Sequence, residues 1–308
     1  MKAAIYSQKK DLDTFLYLSK FISELTNKGV KPILYEQLHK DLEFSKDFAT
    51  FKDKKDLEAN VVDFFFSFGG DGTILNALQF IQELEVPVIG VNTGRLGFLA
   101  SFSKEEIFDH IDEIISKDMN FSRRSVLKVS SSGTPFPLPY ALNDVCVSRN
   151  ETTSMITIET HINDQFLTYY WGDGLIVSTP TGSTAYSLSC GGPIISPGNG
   201  ILALTPIAPH NLNVRPIVLR DDIEITLKVE SRVPQFSVSL DSRLYHMKTG
   251  DVITINKAPF QLILMHPKDL SFFGTLRQKL LWGKDKRNKY IMHKFINFTN
   301  YKLTDYQQ

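Results

Sequence analysis

The chain has 308 residues, of which 42% are hydrophobic, and this is enough for one large domain or two ordinary ones. Its 34 Lys and Arg residues balance its 34 Asp and Glu residues, which argues against non-specific binding to nucleic acid. The two cysteines are too few for a disulfide framework, and the seven histidines lack metal-ligand spacing. No signal peptide and no run of about 18 apolar residues is present. We therefore expect a soluble, cytoplasmic protein with no protein metal site and with neither nucleic acid nor membrane as a partner.

The first third of the sequence alternates strand and helix patterns. Apolar runs predict strands at residues 3–6, 30–34, 61–68 and 86–91. Helical periodicity predicts one helix through residues 15–25, ended by Gly29, and another through residues 73–84. A capping box at residues 103–106 opens a third helix, which is predicted to run to residue 116. Strands that alternate with helices favour a parallel α/β sheet.

The pattern changes near residue 122, where short β-rich runs separated by turn residues begin. The predicted strands are residues 125–131, 141–149, 154–162, 166–171, 175–178, 215–219, 223–229, 236–240, 252–256 and 261–265. A last helix is predicted at residues 275–281. The sequence therefore predicts an α/β N-terminal domain with a parallel sheet, followed by an all-β C-terminal domain over residues 122–269.

A glycine-rich turn, Gly-Gly-Asp-Gly-Thr at residues 69–73, joins a predicted strand to a predicted helix. In an open parallel sheet, ligands bind at the carboxyl ends of the strands, and amide groups at a helix N-terminus favour anions. The turn matches neither the Walker loop nor the dinucleotide-binding fingerprint. Its central carboxylate, Asp71, could accept a proton from an attacking hydroxyl, hold a divalent cation, or simply cap the helix.

A second glycine-rich stretch covers residues 172–193 and is dense in hydroxyl side chains, which suits a surface that lies flat against a polar ligand. Within it, Tyr186 could stack on a base or fill the core. Upstream, Asn143 and Asp144 could hydrogen-bond ribose hydroxyls or an amide edge, or could form a turn. Cys190 has no histidine partner in sequence and no G-x-S-x-G elbow is present, which argues against covalent hydrolase chemistry.

These motifs, together with His-Pro-Lys-Asp at residues 266–269, have the order and spacing of the NAD kinases, and the chain resembles that family from residue 61 to residue 282. Diacylglycerol and sphingosine kinases share the turn at residues 69–73, whereas Thr-Pro-Thr-Gly-Ser-Thr-Ala-Tyr at residues 179–186 is far more specific to NAD kinases. The resemblance implies that ATP donates its γ-phosphoryl group to the 2′-hydroxyl of the adenosine ribose of NAD. It also implies that Asp71 is the catalytic proton acceptor for that hydroxyl.

The resemblance further implies an architecture and a set of partners. NAD would lie between the two domains, and residues 270–308 would return to complete the domain of residues 1–121. A divalent metal cation, Mg²⁺ with ATP, would be needed, and the chain would form a homodimer or a homotetramer. The residues that the resemblance assigns to NAD contacts are Asp71, Gly72, Asn143, Asp144, Asp173, Thr184, Ala185, Tyr186, Ser187, Leu188, Ser189 and Ala208.

The sequence departs from the family pattern at several positions. Asp144 stands where many relatives have Glu, so a direct contact to NAD could become water-mediated. Trp171 stands where some relatives have a basic residue, and Arg243 stands where other members often have an uncharged polar residue. These two changes leave open which group neutralises the phosphate charge. Arg95 is a candidate cation near the phosphates, with a plain surface arginine as the alternative.

Two other functional classes stay open from the residues alone. A lipid kinase of the diacylglycerol type would share the turn at residues 69–73 but would have no need of residues 179–189. A non-catalytic dinucleotide sensor would keep the β-domain site but would gain little from a carboxylate beside phosphates. An assay that compares NAD with a lipid acceptor separates these classes.

Overall fold

The computed structural model describes residues 1–9, 11–41, 48–94, 97–150 and 154–281. Residues Met1–Lys268 form one compact unit, and Asp269–Gln308 form a second. Among the described residues, no helix is both long enough and apolar enough to cross a membrane. The division into residues 1–121 with 270–308 and residues 122–269 stays a prediction.

The N-terminal part alternates strands and helices, as predicted. Its elements are β1 (Lys2–Ser7), α1 (Leu12–Asn27), β2 (Lys31–Tyr35), α2 (Glu36–Asp41), β3 (Ala49–Phe51), α3 (Lys54–Asn60), β4 (Phe64–Gly69), α4 (Asp71–Ile81), β5 (Val88–Asn92), β6 (Phe102–Ser103), α5 (Glu106–Asp109) and α6 (Ile111–Ile115). Strands β5, β4, β1, β2 and β3 pair in parallel in that spatial order. The predicted parallel α/β sheet is confirmed, and its central strands are buried on both faces.

The predicted helix over residues 103–116 is partly wrong. The capping box exists, because the Ser103 Oγ accepts the Glu106 N–H at 3.2 Å and the Glu106 Oε2 accepts the Ser103 N–H at 3.0 Å. At His110, however, the backbone leaves helical geometry, with φ −105° and ψ 4°, and separates α5 from α6. The His110 ring packs edge-on against Phe102, so a tertiary contact of the side chain accompanies the break.

The second half is rich in strands, as predicted. Its elements are β7 (Asn120–Ser131), β8 (Tyr140–Ala141), β9 (Asp144–Arg149), β10 (Ile156–Ile162), β11 (Gln165–Gly172), β12 (Gly174–Ser178), α7 (Tyr186–Ser189), β13 (Ile201–Ile207), β14 (Ile217–Arg220), β15 (Ile225–Glu230), β16 (Gln235–Leu240), β17 (Arg243–Lys248), β18 (Val252–His266) and α8 (Phe272–Leu280). Strands β14, β13, β12, β9, β16 and β17 form an antiparallel sheet in that order. The fold class predicted from the sequence is confirmed.

Strand β18 joins the parallel strands to the antiparallel strands β15, β10, β11 and β7 within one twelve-stranded sheet, and the six-stranded antiparallel sheet is separate from it. Its residues Leu264 and Met265 pair in parallel with β5, whereas its first half pairs antiparallel with β15. The sequence predicts two strands here, at residues 252–256 and 261–265, and the structure has one strand whose register against β7 shifts between Lys257 and Gln261. The irregularity contains Pro259, which lacks the N–H of a regular ladder residue, so the sequence pattern breaks although the strand continues.

Sequence reasoning missed β13 and β17 and joined β8 and β9 into one strand. Strand β13 contains Pro206, which weakens a strand prediction. Strand β17 follows a short turn, and its sequence, Arg-Leu-Tyr-His-Met-Lys, lacks a regular alternation of polar and apolar residues. The interruption between β8 and β9 falls at Leu142 and Asn143, and it has a functional consequence described below.

Candidate active site

The glycine-rich turn connects β4 to α4 at the carboxyl end of the parallel sheet. Gly69 has φ +157°, and a Cβ placed there would lie 2.1 Å from the Thr73 Oγ1, so only glycine fits. Gly70 is the N-cap of α4 and contributes no side-chain cap bond. Gly72 is exposed in the first turn of the helix. The turn therefore leaves the start of α4 open to a ligand.

The Asp71 carboxylate is held by the loop that follows β5. Its Oδ2 accepts the N–H of Phe98 at 2.7 Å, and its Oδ1 accepts the N–H groups of Leu99 at 3.0 Å and Ala100 at 3.2 Å. Asp71 is the first residue of α4, and Gly70 is the cap, so the capping role considered from the sequence is wrong. The carboxylate instead fixes one loop against another.

Gly97 makes this close approach possible. A Cβ at position 97 would lie 1.9 Å from the Asp71 Oδ1, which is far inside van der Waals contact. The backbone of the loop thus lies directly against the carboxylate. An ionised carboxylate offers about four lone-pair sites, so three N–H bonds leave about one, on Oδ2.

Asn143 and Asp144 directly follow Leu142, a buried residue of the hydrophobic core. Leu142, which precedes them, belongs to the same hydrophobic cluster as Ile74 of α4 and as Leu99 and Ala100. Asn143 is half-buried in the break between β8 and β9, and Asp144 is the first residue of β9, with 5% of its surface exposed. The packing of Leu142 connects Asn143 and Asp144 to the loop that holds Asp71.

Asp144 is an unusual carboxyl group. Burial, reinforced by the nearby Asp241 carboxylate, raises its pKa to about 7. On the facing strand β12, Ser178 is its register partner, and the Ser178 Oγ is buried with no hydrogen-bond partner in the described structure. A buried hydroxyl and a buried carboxyl without hydrogen bonds of their own favour a polar ligand at this point.

The hydroxyl-rich stretch has two kinds of side chain. Thr179, Ser183 and Ser187 are fully buried and bond to the protein: the Thr179 Oγ1 donates to the Leu142 carbonyl at 2.6 Å, and the Ser187 Oγ lies 2.9 Å from the Thr205 Oγ1. The expectation of a hydroxyl surface flat against a ligand is therefore wrong for these three side chains and stays a prediction for the others. Sequence spacing could not separate the inward hydroxyls from the outward ones.

The outward side chains belong to α7 and the residue pair before it. Tyr186 and Ser189 are exposed, and Thr184, Ala185 and Leu188 are half-buried. Because 47% of Tyr186 is exposed, its ring does not fill the core. Burial raises the pKa of the neighbouring Cys190 thiol, which also interacts with Tyr186 and Asp144. The structure therefore brings α7 and the start of β9 together.

Asp173 and Ala208 lie next to each other at the end of β13. The Asp173 N–H donates to the Ile207 carbonyl at 3.0 Å, and its Oδ1 lies 2.8 Å from the Arg149 Nε. Ala208 is exposed and has φ 42°. A Cβ on Gly172 would lie 2.9 Å from the Ala208 carbonyl oxygen, so this approach depends on glycine.

The candidate cations differ in what the structure shows of them. Arg95 lies outside the described residues. Arg243 donates to the carbonyls of Leu138 and Tyr140, so part of its guanidinium holds the backbone. The ring of Trp171 packs against His210 at 4.2 Å between centroids. Within the described ranges, no group of three or more His, Cys, Asp or Glu residues is placed to hold a metal ion.

The chain matches two family models over most of its length. Residues 12–119 match the ATP-NAD kinase N-terminal domain, and residues 142–266 match the ATP-NAD kinase C-terminal domain. The chain belongs to the NAD kinase family. Membership of this family decides against the lipid kinase considered from the sequence, and it makes the chain a kinase.

Relatives and solved structures agree with this assignment. The NAD kinase of Christiangramia forsetii is 44% identical over 94% of this chain and 100% of its own length, and that of Bacteroides fragilis is 40% identical over 93% and 100%. An NAD kinase from Archaeoglobus fulgidus, solved with ATP, has a TM-score of 0.73 and 27% identity over 91% of this chain and 98% of its own. Yeast NADH kinase, solved with NADH, has a TM-score of 0.84 over 92% and 88%; at 24% identity this shows the fold alone.

Proposed function

We propose that this kinase transfers the γ-phosphoryl group of ATP to the 2′-hydroxyl of the adenosine ribose of NAD, giving NADP and ADP, with Asp71 as proton acceptor. Family membership supports the substrates. The main support for the role of Asp71 is that three backbone N–H groups fix its carboxylate at the end of β4. A fixed carboxylate at the ligand-binding edge of a parallel sheet is suited to proton transfer.

The proposed reaction needs one proton acceptor, and Asp71 supplies it. The ribose hydroxyl donates its proton to the remaining lone pair of the Asp71 Oδ2. The ribose oxygen forms a bond to the γ-phosphorus while the bond from that phosphorus to the β–γ bridging oxygen breaks, and ADP leaves with the electron pair. Phosphoryl transfer depends mainly on positioning and charge neutralisation, so holding the carboxylate rigidly is a large part of what the protein can supply.

The contact set that we propose for NAD consists of exposed and half-buried residues of the site together with the buried Asp144 and Ser187. Tyr186 offers an exposed ring to a base, and Asn143, Asp144 and Asp173 offer polar atoms. Ser187 belongs to the proposed contact set as well, although the whole residue is buried and its hydroxyl lies 2.9 Å from the Thr205 Oγ1. The remaining members of the proposed contact set are Gly72, Thr184, Ala185, Leu188, Ser189 and Ala208.

We place the divalent cation on the substrate. The described residues include no cluster of carboxylates or histidines for a resident ion, and the Asp71 carboxylate has three of its lone pairs occupied by N–H groups. Mg²⁺ is commonly held by one or two carboxylates plus the phosphates of the substrate. Such an ion would neutralise charge on the γ-phosphoryl group.

The test is an assay of NADP formation in which NAD and NADH are crossed with ATP and polyphosphate. NADP formation from NAD and ATP, lost on chelation of the metal, supports the proposal. Binding of NAD without NADP formation would instead favour the dinucleotide sensor. A cytoplasmic location and a homodimeric or homotetrameric assembly stay predictions from the sequence, and light scattering checks the assembly.

A further inference from the structure

Asp241 lies far in sequence from the residues considered so far, at the turn between β16 and β17. It has φ 54°, and only 2% of its side chain is exposed. Its Oδ1 accepts the N–H groups of Asn143 at 2.7 Å and Asp144 at 3.2 Å, and its Oδ2 accepts the N–H of Leu142 at 3.0 Å. Its own N–H donates to the Asp144 carbonyl at 2.9 Å. Four hydrogen bonds therefore connect this residue to three consecutive residues of the site.

These bonds explain why the strand predicted at residues 141–149 is interrupted. At the break, the N–H groups of Leu142 and Asn143 point at a carboxylate and not at a neighbouring strand. On the other side of the chain, the Asn143 carbonyl accepts the Thr179 N–H at 2.9 Å. A Cβ on Gly182 would lie 2.0 Å from that carbonyl oxygen. The peptide that carries Asn143 is thus held from both sides.

Arg243 fastens the same turn to the preceding segment. Its Nη1 donates to the Leu138 carbonyl at 3.1 Å, its Nη2 donates to the Tyr140 carbonyl, and its Nη2 lies 4.0 Å from the Asp241 Oδ2. The hairpin formed by β16 and β17 therefore contacts residues 138–144 through a charged pair and several backbone groups. All of these contacts join one part of the protein to another, so their role is structural.

The charges around Asp144 follow from the same arrangement. Burial raises the pKa of Asp144 and also that of Asp241, and the charge of Asp241 raises the pKa of Asp144 further. At Asp241 the N–H groups of residues 142–144 and the Arg243 guanidinium act in the opposite direction and favour the ionised form. The thiols of Cys146 and Cys190 also face Asp144, and burial raises the pKa of both. Asp241 accepts three N–H bonds, whereas within the described ranges the Asp144 carboxyl accepts none. Because the N–H groups and Arg243 stabilise the ionised form of Asp241 only, we assign the proton of this pair to Asp144.

We propose that Asp241 is a positioning residue for nucleotide binding, which fixes the backbone of Leu142, Asn143 and Asp144 through its hydrogen bonds to these residues. This rests on the proposed function, because it takes Asn143 and Asp144 as NAD contacts. Asp241 itself touches no reacting atom. Its effect is expected on NAD affinity and on the pH dependence of that affinity.

The sign of the pH effect follows from the chemistry of the ligand. Ribose hydroxyls donate best to an ionised carboxylate, so NAD affinity should rise as the pH increases through the pKa of Asp144, about 7. Removing the Asp241 charge removes a repulsion that opposes ionisation of Asp144. The midpoint of the affinity profile should then move to lower pH, while burial keeps it above the ordinary value of an aspartate.

The experiment measures NAD affinity by calorimetry from pH 5.5 to 8.5 in four variants: Asp241→Asn, Asp144→Asn, the double variant, and Asp221→Asn. Asp221 is another carboxylate with a buried side chain, which pairs with Lys257 elsewhere, and it serves as the control. Thermal unfolding checks that each variant is folded. In Asp241→Asn we expect NAD affinity at pH 8 to fall about tenfold or more. One of the three backbone N–H groups that now donate to the carboxylate would then face the NH₂ group of Asn and lose its acceptor. We also expect the pH midpoint of this variant to fall, with the midpoint absent in both variants that lack Asp144.

Three outcomes decide the inference. A folded Asp241→Asn variant with wild-type affinity and an unchanged midpoint would overturn it. A loss of affinity with no shift of the midpoint would show a structural role only, and would overturn the electrostatic part. If the unsubstituted enzyme binds no NAD at any pH, the proposed function fails first, and this result is distinct from the other two.

Discussion

The Oδ2 atom of Asp71 accepts a hydrogen bond of 2.7 Å from the backbone N–H of Phe98, although the two residues are 27 positions apart in the chain. With the N–H groups of Leu99 and Ala100, this bond ties the start of α4 to the loop after β5. The carboxylate therefore cannot rotate without losing hydrogen bonds. Rigid placement of this kind is what a general base next to a phosphoryl donor needs.

Replacement of Asp71 by Asn should lower kcat by roughly 10²–10⁴-fold, because the amide cannot accept the ribose proton. NAD affinity should stay within about threefold, since two of the three N–H bonds can still be accepted by the amide oxygen. Steady-state NADP formation and calorimetry measure the two quantities. Asp53→Asn is the control, because Asp53 is the N-cap of α3 and Asn caps as well. Near-normal turnover in Asp71→Asn would refute the general-base role.

Replacement of Gly97 by Ala should disable the enzyme without touching a reacting group. The new Cβ would lie 1.9 Å from the Asp71 Oδ1, so the carboxylate or the loop must move. A displacement of about 1 Å can cost about 10²-fold in rate. At Gly94, in contrast, a Cβ meets no atom of the described residues within 4 Å, and Gly94→Ala should keep activity within about twofold. Equal activities of the two variants would show that the loop does not fix the carboxylate.

Replacement of Tyr186 by Ala should weaken NAD binding if the exposed ring stacks on a base. Base–aromatic stacking contributes about 1–3 kcal/mol, so KM for NAD should rise about 5–150-fold, with KM for ATP little changed. Tyr186→Phe keeps the ring and removes the hydroxyl that interacts with Cys190, and it should bind NAD almost normally. A similar loss in both variants would assign the effect to the hydroxyl and contradict stacking.

Replacement of Asp144 by Asn should make stability less dependent on pH. A carboxyl group whose folded pKa is raised to about 7 stabilises the fold below its unfolded pKa, near 4, and this contribution is lost as the pH rises through 7. The wild type should therefore lose up to about 4 kcal/mol of unfolding free energy between pH 4 and pH 8 that the variant does not lose. Urea unfolding at both pH values measures this. Parallel pH profiles would contradict the raised pKa.

The sequence predicts well the features whose signal is local. The strand–turn–helix around residues 69–73 follows from an apolar run that ends in glycines, and the parallel sheet follows from strands that alternate with helices. The sequence also indicates the family, because the motif at residues 179–186 is specific to NAD kinases, whereas the turn at residues 69–73 is shared with other kinases. These features need no knowledge of the packing between distant segments.

The features that the sequence could not give depend on long-range contacts of the backbone. The N–H groups that hold Asp71 belong to Phe98, Leu99 and Ala100, whose side chains carry no sign of this role. The bonds of Asp241 to residues 142–144 span 97 to 99 positions, and nothing in the hairpin sequence indicates them. Burial likewise distinguishes Ser187 from Ser189, although both lie in one hydroxyl-rich run.

The central claim is that Asp71 takes the proton of the 2′-hydroxyl, and a crystal structure of the enzyme with bound NAD tests it most directly. We predict that the 2′-oxygen of the adenosine ribose lies within about 3.2 Å of the Asp71 Oδ2, with the N–H bonds from residues 98–100 intact. A complex in which that oxygen is beyond reach of the carboxylate, or in which the 3′-oxygen occupies its place, would contradict the claim.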